Sequence, residues 1–403
     1  MRPVVPLPAK GRRRRKLKAV LGRGILTIAG TVARLSRLRG GPPPDVRGLW
    51  PFPEPPRSIL LVRFDLIGDT LMSLRLAADL KSIFPNSKIT FLTTPGSARI
   101  AELCPYVDHS LAADMPAVTH LQGALHRRSW TTSISVMRKI RKSRFDLAIS
   151  LYGPLAGCVT GLSGARWRVG YESEAPTGCL DFALQGRRLP GTKHEVEWIR
   201  GLADRDATTP PKGSLVIPDD AGRRAAMMIP EGDDPLVVIH TGARNGGAKI
   251  WPVERWKKLA ARIIQKTRAR LVIVGDEFER MTARSVIRSA PRAHDLTGNT
   301  SLAELAAVIS RCDVLISGDS GPLHLATALG KRVVGLYGPT DPVLSGPFAD
   351  DAIIVRAGIP CSPCYDLRAP ADCPFGDTLC MEWITPHQVM EAVLKQLDGR
   401  RAG

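Results

Sequence analysis

Residues 314–339, V-L-I-S-G-D-S-G-P-L-H-L-A-T-A-L-G-K-R-V-V-G-L-Y-G-P, constrain the fold more than any other stretch of the chain. Two short apolar runs, at 314–317 and 332–337, predict buried parallel strands, because a strand covered on both faces reads as a continuous apolar run. The segment between them predicts a helix that opens at Gly321-Pro322. Proline suits the first helical turn, where its missing N–H costs nothing, and Gly321 lets another molecule approach the backbone closely. The unpaired N–H groups and the dipole of such a helix face the region beyond the strand's carboxyl end. Open α/β sheets bind ligands there, and the geometry suits a phosphate. Asp319 and Ser320 stand at the same mouth, able to orient a loop or to accept from a ribose hydroxyl. An ordinary strand-helix-strand unit with a Gly-Pro start fits the same letters, so the rest of the chain has to decide.

At 403 residues the chain is long for one domain and comfortable for two. A hydrophobic content of 44% lets each domain bury its own core. Aromatic residues make up only 5%, which argues against surfaces that stack single-stranded nucleic acid. No run reaches the eighteen or so apolar residues that a membrane-spanning helix needs.

The net charge of +19 is unevenly placed. Residues 1–57 hold 14 Lys/Arg against two acids, Asp45 and Glu54, and the eleven cations from Lys10 to Arg39 meet no acid at all. Within that span Leu17, Val20, Leu21, Ile25, Ile28, Val32, Leu35 and Leu38 recur at steps of three and four, one stripe of a helix. A basic amphipathic arm of this kind fits the headgroup layer of an anionic membrane, which is the expectation here. A solvated, partly disordered tail, a nucleic-acid arm and an organelle presequence fit the composition too. A secretory signal does not, because Arg23 interrupts the apolar region. Seven prolines between Pro42 and Pro56 then predict a stiff linker.

The first folded domain opens with an apolar strand, 58–64, and an abrupt D-L-I-G-D turn from Asp65 to Asp69. A helix carrying Leu71, Leu74 and Ala78 and a strand over 88–93 follow. This opening lacks G-x-G-x-x-G, and the carboxylates beside Gly68 would repel a diphosphate, so the turn is a poor nucleotide cradle. A carboxylate at the tip of such a turn is better placed to take a proton from a hydroxyl, although Asp69 could equally cap its helix. Further strands are expected at 145–151 and 166–171, with helices at 133–142 and 194–203. The basic face of Arg138, Lys139, Arg141, Lys142 and Arg144 is either solvated or set against an anionic acceptor.

A new sheet is expected to start at 235–240. The loop after it, H-T-G-A-R-N-G-G-A-K-I-W-P from His240 to Pro252, is not a Walker site, because Ala248 follows Gly247 and Ile250 stands where a magnesium-binding hydroxyl should be. Lys249 remains as a point charge able to neutralise a diphosphate, or else as a surface lysine beside a packed Trp251. A strand over 270–275 ends in G-D-E-F-E, which puts Asp276, Glu277 and Glu279 where a carboxylate binds ribose. Ser301 and Glu304 have the spacing of a capping box. The expected organisation is an arm and linker at 1–57, a first Rossmann-like domain at 58–230, a second Rossmann-like domain at 231–383 and a C-terminal helix and tail at 384–403.

Taken in order, R-F-D-L-I-G-D, H-T-G-A with K-I-W-P, G-D-S-G-P-L-H-L-A and Y-G-P-T-D-P resemble glycosyltransferase family 9, the heptosyltransferases of lipopolysaccharide core assembly. The likeness covers roughly residues 58–398. It implies a GT-B fold: two Rossmann-like, doubly wound α/β domains facing across a cleft, here preceded by the basic amphipathic arm. It implies inverting, metal-independent transfer of a sugar, heptose from ADP-heptose, to a lipopolysaccharide-type or other lipid-linked glycan acceptor on the cytoplasmic face of the inner membrane. Carried over, Asp69 is the base and Lys249 reaches the diphosphate. Glu277 holds the ribose, Asp319, Ser320 and Gly321 present the phosphate turn, and Thr241, Gly242 and His324 complete the donor contacts. Thr241 replaces the proline often found after that histidine, and 244–248 is less typical of the family, which bears on the donor more than on the chemistry. The implied partners are the donor, the glycan acceptor and an anionic membrane surface, with no nucleic acid.

Such a reaction needs a base on one face of the sugar and positive charge or N–H donors behind the diphosphate, which is already a good leaving group. Two other classes remain open on these residues: a GT-B-like nucleotide-sugar epimerase, and a non-catalytic membrane adaptor. Of the eight cysteines, Cys104, Cys158, Cys179 and Cys312 are scattered as small apolar residues would be. Cys361, Cys364, Cys373 and Cys380 cluster in a proline-rich loop, where reduced thiols or local pairing are expected ahead of a structural zinc. No cofactor is expected.

Overall fold

The computed structural model describes residues 54–113, 127–186, 188, 192–203, 215–243, 247–364, 373 and 375–399. The basic arm, most of the proline linker and the expected loop at 204–211 lie outside the described residues. The chain divides into two compact units, residues 1–188 with 198–206, and residues 189–197 with 207–403.

The first unit runs β1 (Ser58–Val62), α1 (Ile67–Ile83), β2 (Lys88–Thr93), α2 (Pro95–Ala101), β3 (His109–Ala112), α3 (Arg127–Ser143), β4 (Leu147–Ser150), α4 (Gly153–Leu162), β5 (Trp167–Tyr171) and β6 (Phe182–Leu184). All its strands pair in parallel, in the order β3-β2-β1-β4-β5-β6. The apolar run of β1 is fully buried from Ile59 to Val62, as a strand covered on both faces must be. Asp146, just before β4, accepts from the backbone N–H groups of Arg57 and Ser58 at 2.8 and 3.0 Å and so fixes the start of β1. The chain passes between the units three times, and one of the crossings falls within α5 (Glu195–Gly201).

The second unit continues with α6 (Asp219–Met228), β7 (Leu236–His240), α7 (Val253–Lys266), β8 (Arg270–Val274), α8 (Arg280–Ser289), β9 (His294–Asp295), α9 (Leu302–Ser310), β10 (Val314–Gly318), α10 (Gly321–Ala328), β11 (Arg332–Leu336), α11 (Pro342–Ser345), β12 (Ile353–Val355), α12 (Leu379–Glu382) and α13 (Pro386–Gly399). Its strands are also all parallel, in the order β12-β11-β10-β7-β8-β9. The capping box forms: Ser301 Oγ accepts from the Glu304 N–H at 3.3 Å, and Glu304 accepts from the Ser301 N–H at 2.7 Å. The apolar face of α13 (Val389, Met390, Val393) packs into the same core as Trp251 and Trp256 of the β7–α7 region. Trp251 Nε1 donates to the Ile384 carbonyl at 3.0 Å, which ties that loop to the C-terminal segment.

Both sheets reverse their strand order at the middle, between β1 and β4 in one and between β7 and β10 in the other. Such a reversal opens a crevice at the carboxyl ends of the two central strands, where doubly wound sheets take their ligands. The residues singled out from sequence follow these strands: Asp69 after β1, Thr241 and Gly242 after β7, and Asp319 to Gly321 after β10.

Candidate active site

In the first unit α1 starts at Ile67, with Leu66 at the N-cap and no side-chain cap. Asp69 therefore lies inside the first turn, and the capping role considered from sequence is corrected. A carboxylate there still gains from the helix dipole. Arg63, the charge that follows the apolar run of β1, is 1% exposed, and its guanidinium reaches Asp65, Asp69 and Ser73. Nε donates to Asp65 at 3.0 Å, Nη2 to Asp69 Oδ1 at 3.2 Å and Nη1 to Ser73 Oγ at 3.0 Å. Ser73 in turn donates to the Asp69 carbonyl at 2.8 Å. The guanidinium also lies 5.2 Å from the centre of the Tyr152 ring, at the start of α4. A buried cation needs such partners, and here they hold Asp69 by both its carboxylate and its backbone. The Asp69 side chain keeps 34% exposure, enough to meet a substrate hydroxyl. Arg188 also lies over the Tyr152 ring, 4.8 Å from its centre, pairs with Glu174 and donates to the Leu151 carbonyl at 2.9 Å.

In the second unit Lys249 ends a short 3-10 turn, Gly247–Lys249, and is 9% exposed, so it is not the surface lysine of the alternative reading. Its Nζ lies 3.1 Å from Asp319 Oδ2. His324 Nε2 is 3.6 Å from Asp319 Oδ1, to which the Tyr337 hydroxyl donates at 3.4 Å. Burial alone would push the Asp319 carboxyl up. The nearby His324 ring N–H and the charge of Lys249 outweigh it and bring the carboxyl down to about 2. Tyr337 moves the other way, pushed well above its usual value by burial and the Asp319 charge. Beside this cluster His240 Nδ1 is 2.9 Å from Ser317 Oγ and 3.2 Å from Ser320 Oγ, and the two serine hydroxyls are 2.7 Å apart. Burial lowers the His240 imidazole to about 4, so it stays neutral at neutral pH. Gly321 and Pro322 form the first turn of α10. The arrangement is a buried cation, a carboxylate and a row of hydroxyls at the mouth of a helix, chemistry suited to a phosphorylated ligand.

Lys249 and Asp319 thus form an ion pair with the His324 ring beside it, and Ser320 follows Asp319 in the chain. Gly242 has a packing reason, since a Cβ there would collide with the Glu279 carboxylate. Thr241 is 4% exposed, and its hydroxyl has no partner among the described residues. Glu277 is 69% exposed and paired with Arg280. Its neighbour Glu279 folds back to accept from the Asp276 N–H at 2.5 Å. Arg63, His240 and Tyr337 were not singled out from sequence. The charge interrupting β1 was the available signal for Arg63.

All eight cysteines are free thiols. Cys364 and Cys380 are pushed up, Cys380 to about 11, by burial first and then by the other cysteines of their cluster. Among the described residues no group of three or more His, Cys, Asp or Glu is arranged to hold a metal ion, and no helix is long and apolar enough to cross a membrane.

Residues 133–373 match the model of glycosyltransferase family 9 (heptosyltransferase). The chain belongs to this family. Among its relatives is the lipopolysaccharide core heptosyltransferase OpsX of Haemophilus influenzae, 22% identical over 74% of this chain and 83% of that protein. Solved structures with the same fold include the family 9 glycosyl transferase of Veillonella parvula (TM-score 0.68, 20% identity, 85% of this chain and 97% of that one). ADP-heptose lps heptosyltransferase II of E. coli is also similar (TM-score 0.64, 21% identity, 85% and 99%). The family 9 chain is therefore a glycosyltransferase with an α/β GT-B fold, and the epimerase and adaptor alternatives are not favoured.

Proposed function

We propose that this family 9 enzyme transfers heptose from ADP-heptose to a lipid-linked, lipopolysaccharide-type acceptor, with inversion and without a metal ion. The Lys249–Asp319 pair beside the first turn of α10 carries this reading, because it sets a buried cation where a diphosphate would meet free helix N–H groups. The second unit binds the donor. Lys249 faces the diphosphate, Ser320 and Gly321 receive a phosphate oxygen, Thr241, Gly242 and His324 line the same mouth, and Glu277 swings from Arg280 to the ribose. The first unit supplies the base. Asp69 takes the proton of the acceptor hydroxyl as its oxygen attacks the anomeric carbon, the bond to the diphosphate breaks, and ADP leaves. The enzyme works at the cytoplasmic face of the inner membrane, where its acceptor is anchored. The names of the relatives, which act on lipopolysaccharide or use ADP-heptose, support the choice of substrates.

Thermal shift with ADP-, GDP- and UDP-sugars, followed by transfer assays in EDTA, tests this proposal. ADP-heptose should raise the melting point, since a ligand of the native state stabilises it, and transfer should survive chelation. A shift confined to GDP- or UDP-sugars would overturn the donor, and loss of transfer in EDTA would overturn metal independence.

A further inference from the structure

The outer face of α3 is a cationic surface apart from the Asp69 turn. No acid occurs between Asp114 and Asp146, a span holding seven Lys/Arg, all from Arg127 onward. Ser133 and Ile140 of α3 are buried, and Val136, Met137 and Ile140 pack with the core beneath. At about 100° per residue Thr131, Ile134, Ser135, Arg138 and Lys142 fall on the opposite face, and all five are exposed. Arg138, Lys139, Lys142 and Arg144 are exposed, and none has an ion-pair partner among the described residues. The nearest carboxylate in sequence, Asp146, is taken up by the backbone of Arg57 and Ser58. Ile134 stands 45% exposed on this cationic face.

Topology separates these charges from the chemistry. A crossover helix runs antiparallel to its strands, so the C-terminal turns of α3, which feed β4, lie at the amino edge of the sheet. Asp69 follows β1 at the carboxyl edge. A 17-residue helix is about 25 Å long, too far for its last turns to share the substrate crevice.

We propose that this face docks the enzyme on a bilayer carrying anionic phospholipid headgroups. Cations with no competing carboxylate gain most from a negative surface, and an exposed isoleucine among them suits the headgroup boundary. The choice of a bilayer over another polyanion rests on the lipid-linked acceptor proposed above. The scarcity of aromatic residues disfavours nucleic acid independently.

The test compares the full chain with its R138Q/K139Q/K142Q/R144Q variant in co-sedimentation with phosphatidylglycerol-containing and with pure phosphatidylcholine vesicles. The variant should bind the anionic vesicles about tenfold more weakly or worse. High salt should erase the difference, and neither protein should prefer phosphatidylcholine. The melting temperature should hold, because no ion pair is lost. Equal binding of both proteins to the anionic vesicles overturns the proposal. So does tighter binding of the full chain to double-stranded DNA than to vesicles, if it depends on the same four residues. No donor or acceptor is present, so loss of docking and failure of the transferase reading are separate results.

Discussion

Lys249 Nζ lies 3.1 Å from Asp319 Oδ2, with the two side chains only 10% and 12% exposed. A buried pair of this kind adds little net stability over well-packed apolar residues, but breaking one side of it is costly. Its value in this protein is positional. It holds a cation at the mouth of α10 where a diphosphate can compete for it.

Replacing Lys249 with Met should therefore act twice. The fold should lose about 3 kcal/mol, because Asp319 is left buried without its cation. Donor binding should weaken by a further 1.5–3 kcal/mol or so, the worth of a charge-assisted contact. The K249M/D319N double variant should regain most of the stability and none of the donor affinity. Denaturant unfolding and donor titration separate the two effects, and unchanged donor affinity in either variant would remove Lys249 from the site.

His240 gives a pH signature. Its imidazole titrates near 6.5 when unfolded and at about 4 when folded, lowered by burial. Between those values the unfolded chain binds more protons, so stability is fully present above pH 6.5 and is lost as pH falls towards 4. A depression of this size is worth at most about 3 kcal/mol. His194, also lowered by burial, adds to the slope with the same sign. Melting temperature should therefore fall between pH 7 and pH 4, and His240→Asn should make the fall shallower. An unaltered slope would mean that the folded His240 titrates normally.

Arg63 is predicted to act on Asp69 rather than on the substrate. Arg63→Met should lower kcat about tenfold or more while the donor KM stays near wild type, because the donor is assigned to the other unit. Arg63→Lys should recover part of the loss through a single charge without the planar fork. A purely structural arginine would lower the fraction of folded enzyme and leave kcat per folded molecule alone.

The central strands were legible because β1, β7, β8 and β10 each carry an unbroken, buried apolar run (Ile59–Val62, Leu236–Ile239, Leu271–Val274 and Val314–Ile316), and the capping box at Ser301–Glu304 formed as spaced. The outer strands were not. Exposed positions break the pattern in His109–Ala112, and His294–Asp295 is two residues long, so neither carries a usable period. At the site, sequence placed Asp319, Ser320 and Gly321 at a strand's end but could not show that Lys249 reaches Asp319 across 70 residues. Nor could spacing decide among the carboxylates of G-D-E-F-E, where Glu279 turns inward and Glu277 outward. Asp69 read equally well as a cap until the helix proved to start two residues before it.

The measurement that bears most directly on the proposed mechanism is turnover of Asp69→Asn beside wild type on one acceptor, with melting temperature and donor affinity measured on the same samples. Asparagine keeps the size of the side chain and can still meet Arg63 through its carbonyl oxygen, but it cannot take the proton. Transfer should fall by ~10²–10⁴-fold while donor affinity and stability change little. If the asparagine form keeps more than a few per cent of wild-type turnover, Asp69 is not the base, and Asp65, 3.0 Å from Arg63, becomes the next carboxylate to test.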